Sequence, residues 1–146
     1  MNALQTATAV PAAQATRVPL MGILRGLLLS EAILALGLAI FLSLLAGGLR
    51  EFGDEAGRAA ETTVRFAAGG AFLFAVFAAI AARGARRRRS WAWTMAAVLQ
   101  LLLAIGTGIA VMTADWHAVY LLGFALAAVT MLVLSAASVR RTLGQA

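Results

Sequence analysis

The chain contains no cysteine. That excludes disulfides, thiolate metal sites and thiol chemistry together. Lysine is also missing, because all 12 basic residues are arginine. The lone His117 has no second histidine with which to build a metal cluster. Charge is scarce throughout: 12% of residues are charged, 62% are apolar, and the mean hydropathy is +0.91. A soluble domain is about half apolar and about a quarter charged. A chain this poor in polar residues cannot cover its own core, so lipid must cover it instead.

Helix breakers are few as well. There are only two prolines, and neither lies inside an apolar run. Four continuous apolar stretches are present, at about 20–47, 63–82, 91–113 and 116–139. Each approaches or exceeds the ~20 residues needed to cross ~30 Å of hydrocarbon. They are alanine-rich and do not alternate, which argues against transmembrane strands. The expected fold is all-α: a polytopic membrane protein with four transmembrane helices in a bundle over residues 19–140.

The flanking segments set the expected topology. Residues 1–18 lack the basic start and apolar centre of a signal peptide and read as a disordered cytoplasmic tail. Residues 141–146 read as a second short cytoplasmic tail. Pro19 suits the first turn of helix one, where its missing N–H is not needed. Nine arginines (17, 25, 83, 86, 87, 88, 89, 140 and 141) fall on one side of the four-span layout and three (50, 58 and 65) on the other. The arginine-rich side should be cytoplasmic, with both termini inside. Trp91 and Trp93 then mark the inner interface, and Trp116 and Tyr120 the outer one. The net charge of +6 does not point to nucleic acid, because the arginines gather at membrane boundaries.

The loops add detail. The first, GLREFGDEAGRAAET, places Asp54 four residues before Arg58, and Glu61 four before Arg65. That is the favourable order for helical ion pairs, so helix two should begin outside the bilayer. The third, TADWH, reads as a tight turn between two antiparallel helices. Asp115 and His117 there read as exposed turn residues, with an outer-face proton site as the alternative.

Packing in lipid depends on small residues that let backbones approach. Helix two carries Ala68, Ala71, Ala75, Ala78 and Ala82 in a 3-4-3-4 spacing, the seam of a left-handed pair. Helix one carries Gly22, Gly26 and Ser30, and further along an i+4 ridge of Ala35, Ala39, Ser43 and Gly47. Helix three offers Ala97, Ala104 and Gly108.

Glu31 is the residue that needs explaining. It lies about 11 residues into the apolar run of helix one, so ~16 Å from its inner boundary. A charged carboxylate at that depth costs ~2.5–3.5 kcal/mol on insertion scales, a cost that a neutral acid avoids. Gln100 and Thr130 lie at similar depth on helices three and four. A protonated Glu31 donating to the Gln100 carbonyl would satisfy both groups. In a structural reading, Glu31 is an interhelical hydrogen-bonding group. In a functional one, it binds a proton, a cation or a cationic substrate during transport. Arg86, Arg87, Arg88 and Arg89 read as a topology determinant, with anionic lipid head groups as their alternative partners. No nucleophile–base pair, phosphate loop or metal-ligand spacing appears, so neither enzymatic activity nor a cofactor is expected.

The four-span layout, the Arg-rich middle loop and the Trp-flanked final hairpin resemble small four-helix integral membrane proteins of high-GC actinobacteria. Most of those have no assigned role. The exclusive use of arginine and the wealth of alanine fit such a GC-rich bacterial source. The stretch SEAILALG at 30–37, with one glutamate in the first of four helices, is similar to small multidrug exporters. This chain differs from them in its length, its tail and its charged first loop. The expected function is an accessory or stabilising subunit of the bacterial inner membrane. It would act through helix contacts with a membrane-protein partner or a second copy. The alternative is a small proton-coupled exporter or channel using Glu31.

Overall fold

The computed structural model describes residues 17–52, 55–113 and 118–145. Among them there is no strand. The helices are α1 (Arg17–Leu49), α2 (Glu55–Arg86), α3 (Ser90–Thr113), α4 (Ala118–Ser135) and the short α5 (Ala137–Thr142), with a 3₁₀ turn (Arg50–Phe52) after α1. α1, α2 and α3 are long and apolar enough to cross a membrane, and α4 carries a shorter apolar stretch, Tyr120–Ser135. Residues 1–16 of the expected tail at 1–18 and residues 114–117 of the expected TADWH turn, with Asp115, Trp116 and His117 among them, lie outside the described residues, whereas Arg17 and Val18 belong to α1. Asp54, the expected partner of Arg58, also lies outside the described residues.

The helices extend past the apolar runs that announce them. α1 starts at Arg17, so Pro19 falls in its first turn, where backbone N–H groups have no intrahelical partner. α2 starts at Glu55, eight residues before its apolar run. Its polar first turns are held by local bonds. Glu61 pairs with Arg65 at 2.7 Å and with Arg50 at 3.9 Å. The hydroxyls of Thr62 and Thr63 donate to the carbonyls of Arg58 and Ala59. Hydropathy marks where a helix could meet lipid, whereas these side chains decide where it begins.

α4 does not continue to residue 139. It stops at Ser135, and Ala136 adopts an extended conformation (φ −59°, ψ 129°) before α5 begins. The break turns the chain so that Val139 and Leu143 enter the core while Arg140 and Arg141 stay exposed.

α1 packs along much of α2, and α3 pairs with α4. The α3–α4 pair is antiparallel: the Trp93 indole N–H donates to the Leu134 carbonyl at 3.1 Å, and Thr107 lies against Gly123 further along. The core joins Leu24, Leu28 and Ala32 of α1, Ala78, Ala81 and Ala82 of α2, Ala96 and Leu99 of α3, Leu134 of α4, and Val139 and Leu143. It therefore lies toward the end of the bundle that holds α5. No residue from 101 to 112 on α3 is buried.

On α2, Ala68, Ala75, Ala78 and Ala82 are buried and Ala71 is half-buried. Phe72 and Phe77 point outward, while Phe74 packs against the core. On α1 the buried alanines are Ala32, Ala39 and Ala46, seven residues apart. This heptad spacing replaces the expected ridge of Ala35, Ala39, Ser43 and Gly47, because a left-handed pair keeps every seventh residue on its seam. Gly22 and Gly26 are not packing contacts within this chain. Both are exposed, and a methyl group added to either would meet nothing within 4 Å. They sit two residues from Leu24 and Leu28, so ~200° around the helix from the buried face. On α3, Ala97, Ala104 and Gly108 are only half-buried, and the core face is formed by Ala92, Ala96 and Leu99.

Large apolar side chains cover the outside. Ile33 is 70% exposed, Phe66 80% and Leu132 72%. An apolar surface on this scale is compatible with lipid and not with water.

The alanine seam gives a direct test. Ala78 has no exposed surface, so Ala78→Leu should force α2 from its neighbours and cost ~1–3 kcal/mol. Phe72→Leu, on the outward face, should cost much less. Thermal unfolding of both variants in mild detergent checks the ranking.

Candidate functional site

The sequence placed three polar residues at similar depth, and the fold brings their side chains together. Glu31 on α1 is 4% exposed, and Gln100 on α3 and Thr130 on α4 are fully buried. The Thr130 hydroxyl donates to Glu31 Oε1 at 2.7 Å. Gln100 Nε2 donates to Glu31 Oε2 at 2.6 Å. One carboxyl group therefore ties α1 to both members of the α3–α4 pair.

The helical frame explains the convergence. Glu31 lies beside Ala32 and one turn beyond Leu28, on the buried face of α1. Gln100 follows Leu99 and lies one turn beyond Ala96 on the core face of α3. Thr130 lies between Ala127 and Leu134 on the core face of α4. Ala32, Ala96 and Ala127 are buried on the same helix faces.

The bonding differs from the expected one in direction. Gln100 presents its Nε2 and not its carbonyl, because both Glu31 oxygens act as acceptors in this arrangement. Each oxygen of an ionised carboxylate thus has one donor. Gln100 Oε1 is then left buried without a hydrogen-bond partner. Rotating the amide by 180° exchanges Oε1 and Nε2 without changing its shape. Oε1 would then accept from a protonated Glu31, and 2.6 Å lies within the O–H···O range. The same heavy-atom frame thus accommodates Glu31 with or without a proton.

Among the described residues, no three His, Cys, Asp or Glu side chains converge as metal ligands. The two ion pairs there share Glu61 near the start of α2, a helix that contributes no residue to the cluster.

One residue at the end of the bundle escaped sequence reasoning. Gly84 is buried where α2 meets the start of α3. A Cβ there would lie 2.6 Å from the Trp91 ring and 2.9 Å from Ala92. The only signal in the sequence was a glycine between two arginine-bearing turns, which reads equally well as loop punctuation.

No family model, curated protein or solved structure matches the chain.

The cluster predicts a coupled energetic response. Thr130→Val keeps the shape and removes the donor, and should cost ~0.6–2 kcal/mol, as membrane hydrogen bonds do. In a Glu31→Leu background the same substitution should cost almost nothing further. A double-mutant cycle measured by reversible denaturation in mixed micelles checks this, and simple additivity would separate the two residues.

Proposed function

We propose that this chain is a non-enzymatic protein of a bacterial inner membrane that crosses it four times with both termini in the cytoplasm. It serves as an accessory or stabilising subunit, acting through helix contacts with another membrane protein or a second copy of itself. The observation that carries this reading is the use made of Glu31. Its carboxyl group is occupied by two hydrogen bonds between helices, so it serves to fix the bundle. Polar groups that would line a substrate path are scarce on the same helices. The exposed apolar faces supply surface for a partner helix, and Gly22 and Gly26 leave one side of α1 flat.

The orientation rests on arginine. Nine fall on the side of the termini and three on the other, and the richer side is retained in the cytoplasm. Single cysteines at Ser90 and Ala56 should accordingly label from opposite faces. Reaction of Ser90→Cys with an impermeant reagent in intact cells would reverse the orientation.

A second reading has its own observation. The unpartnered Gln100 Oε1, and a frame that accepts Glu31 in either protonation state, favour a small proton-coupled exporter or channel. Glu31→Gln separates the two. It keeps the shape and removes the exchangeable proton. In a stabilising subunit it should preserve folding, complex formation and the phenotype complemented by the wild type. A folded Glu31→Gln protein that no longer complements would make Glu31 an ion-coupling group and replace the first reading.

A further inference from the structure

We propose that the α5 end of the bundle is a binding site for an anionic phospholipid, with a basic head-group cradle and an apolar groove for one acyl chain.

The cradle is built from two distant stretches of sequence. Leu143 is buried in the core, and beyond it Gln145 Nε2 reaches the Ser90 carbonyl at 3.4 Å. Ser90 directly follows the arginine run. The fold-back of α5 therefore brings Arg140 and Arg141 to the end that holds Arg86, Arg87, Arg88 and Arg89, and all six are exposed. None of them takes part in an ion pair among the described residues, where the pairs involve Arg50, Arg65 and Glu61. None of the six acidic residues of the chain lies within 83–90 or 134–146. Gathering like charges with no acidic side chain in either stretch is unfavourable, and the burial of Val139 and Leu143 imposes it. An anion at this end relieves the repulsion.

Arg88 adds an independent sign. Its φ is 52°, a left-handed conformation. Arg88 N–H donates to the Ala85 carbonyl and Arg89 N–H to the Gly84 carbonyl, both at 3.1 Å. This is the Schellman closure of α2, in which glycine fits the left-handed position without strain. An arginine held there keeps a charge at the expense of backbone comfort, as strained positions at binding sites do.

The groove identifies the anion as a lipid. A cleft of about 460 Å³ opens between α2 and α3, lined by Phe77, Trp91, Met95, Val98 and Leu102 among others, and almost wholly apolar. Trp91 stands one residue after Ser90, so the groove starts beneath the arginine run. It extends ~16 Å along α3, from Trp91 to Leu102. A phosphate among the arginines with an acyl chain in this groove matches both chemistries. A soluble phosphate matches only one.

The site rests on the reading of this chain as a membrane protein but not on its orientation, because binding in detergent does not depend on sidedness. The test is native mass spectrometry of the full chain in neutral detergent, titrated with phosphatidylglycerol or phosphatidylcholine. The protein should retain phosphatidylglycerol preferentially. Arg140→Gln with Arg141→Gln should weaken retention about thirtyfold, as should Arg87→Gln with Arg89→Gln. Val98→Trp, which fills the groove and leaves every arginine in place, should also weaken it. Arg58→Gln at the opposite end should not. Glycerol 3-phosphate, which has no acyl chain, should fail to displace the lipid. Arg88→Gly relieves the strained turn, so it should melt no lower than the wild type yet retain less phosphatidylglycerol. This keeps the test decisive if another variant folds poorly. Equal retention of the two lipids, displacement by glycerol 3-phosphate, or unchanged retention in the α5 or Arg88 variants would overturn the proposal.

Discussion

A carboxyl group surrounded by apolar helices must find its hydrogen bonds inside the protein, because neither lipid nor a packed core supplies any. Glu31 imposes that constraint on this bundle. Its two oxygens are met by a hydroxyl from α4 and an amide from α3, so the α3–α4 pair is fixed against α1. Apolar packing alone would hold these helices loosely, since lipid tails compete on equal terms with leucine. Two directional bonds specify which faces meet, and Gln100 Oε1 is left without one.

The rest of the packing follows from small side chains. Alanine at 32, 78, 81, 82 and 96 lets the helices approach, and Leu24, Leu28, Leu99, Leu134, Val139 and Leu143 fill the core between them. Gly84 extends this logic to the end of α2, where the Trp91 ring occupies the space a side chain would need. Most of the large apolar residues are exposed on the outside, the reverse of a water-soluble domain. Alanine therefore supplies the close approaches between helices, while a few leucines fill the core and most of the large apolar residues face outward.

The end that holds α5 obeys a different balance. Burial of Val139 and Leu143 draws the chain back beneath the bundle, and it draws arginines with it. In water such a gathering would be opposed by repulsion. At the proposed lipid site, anionic head groups would make the same charges attractive, and the apolar groove beginning at Trp91 would give the interaction a direction. The core and the basic surface are thus coupled through one short helix.

Helical class and the apolar runs could be read directly, because spans of ~20 uninterrupted apolar residues leave no other structure that satisfies the backbone in lipid. Glu31, Gln100 and Thr130 could be singled out because a polar group within such a run is costly and must have a partner. The sequence could not assign the donor at Gln100, since the two ends of an amide have the same shape. It marked Gly22 and Gly26 as a contact by spacing alone, yet spacing does not say which side of a helix faces its neighbours. That was decided by Leu24, Leu28 and Glu31, which claimed the opposite face. The break at Ala136 has neither glycine nor proline to announce it. It exists because turning the chain buries Val139 and Leu143, a gain that depends on core residues far away in sequence. Composition and periodicity determined the helical class and the apolar runs, which depend on neighbours along the chain. Tertiary structure decided the faces, the helix break and the meeting of the two arginine clusters, because each depends on which distant surfaces compete for burial.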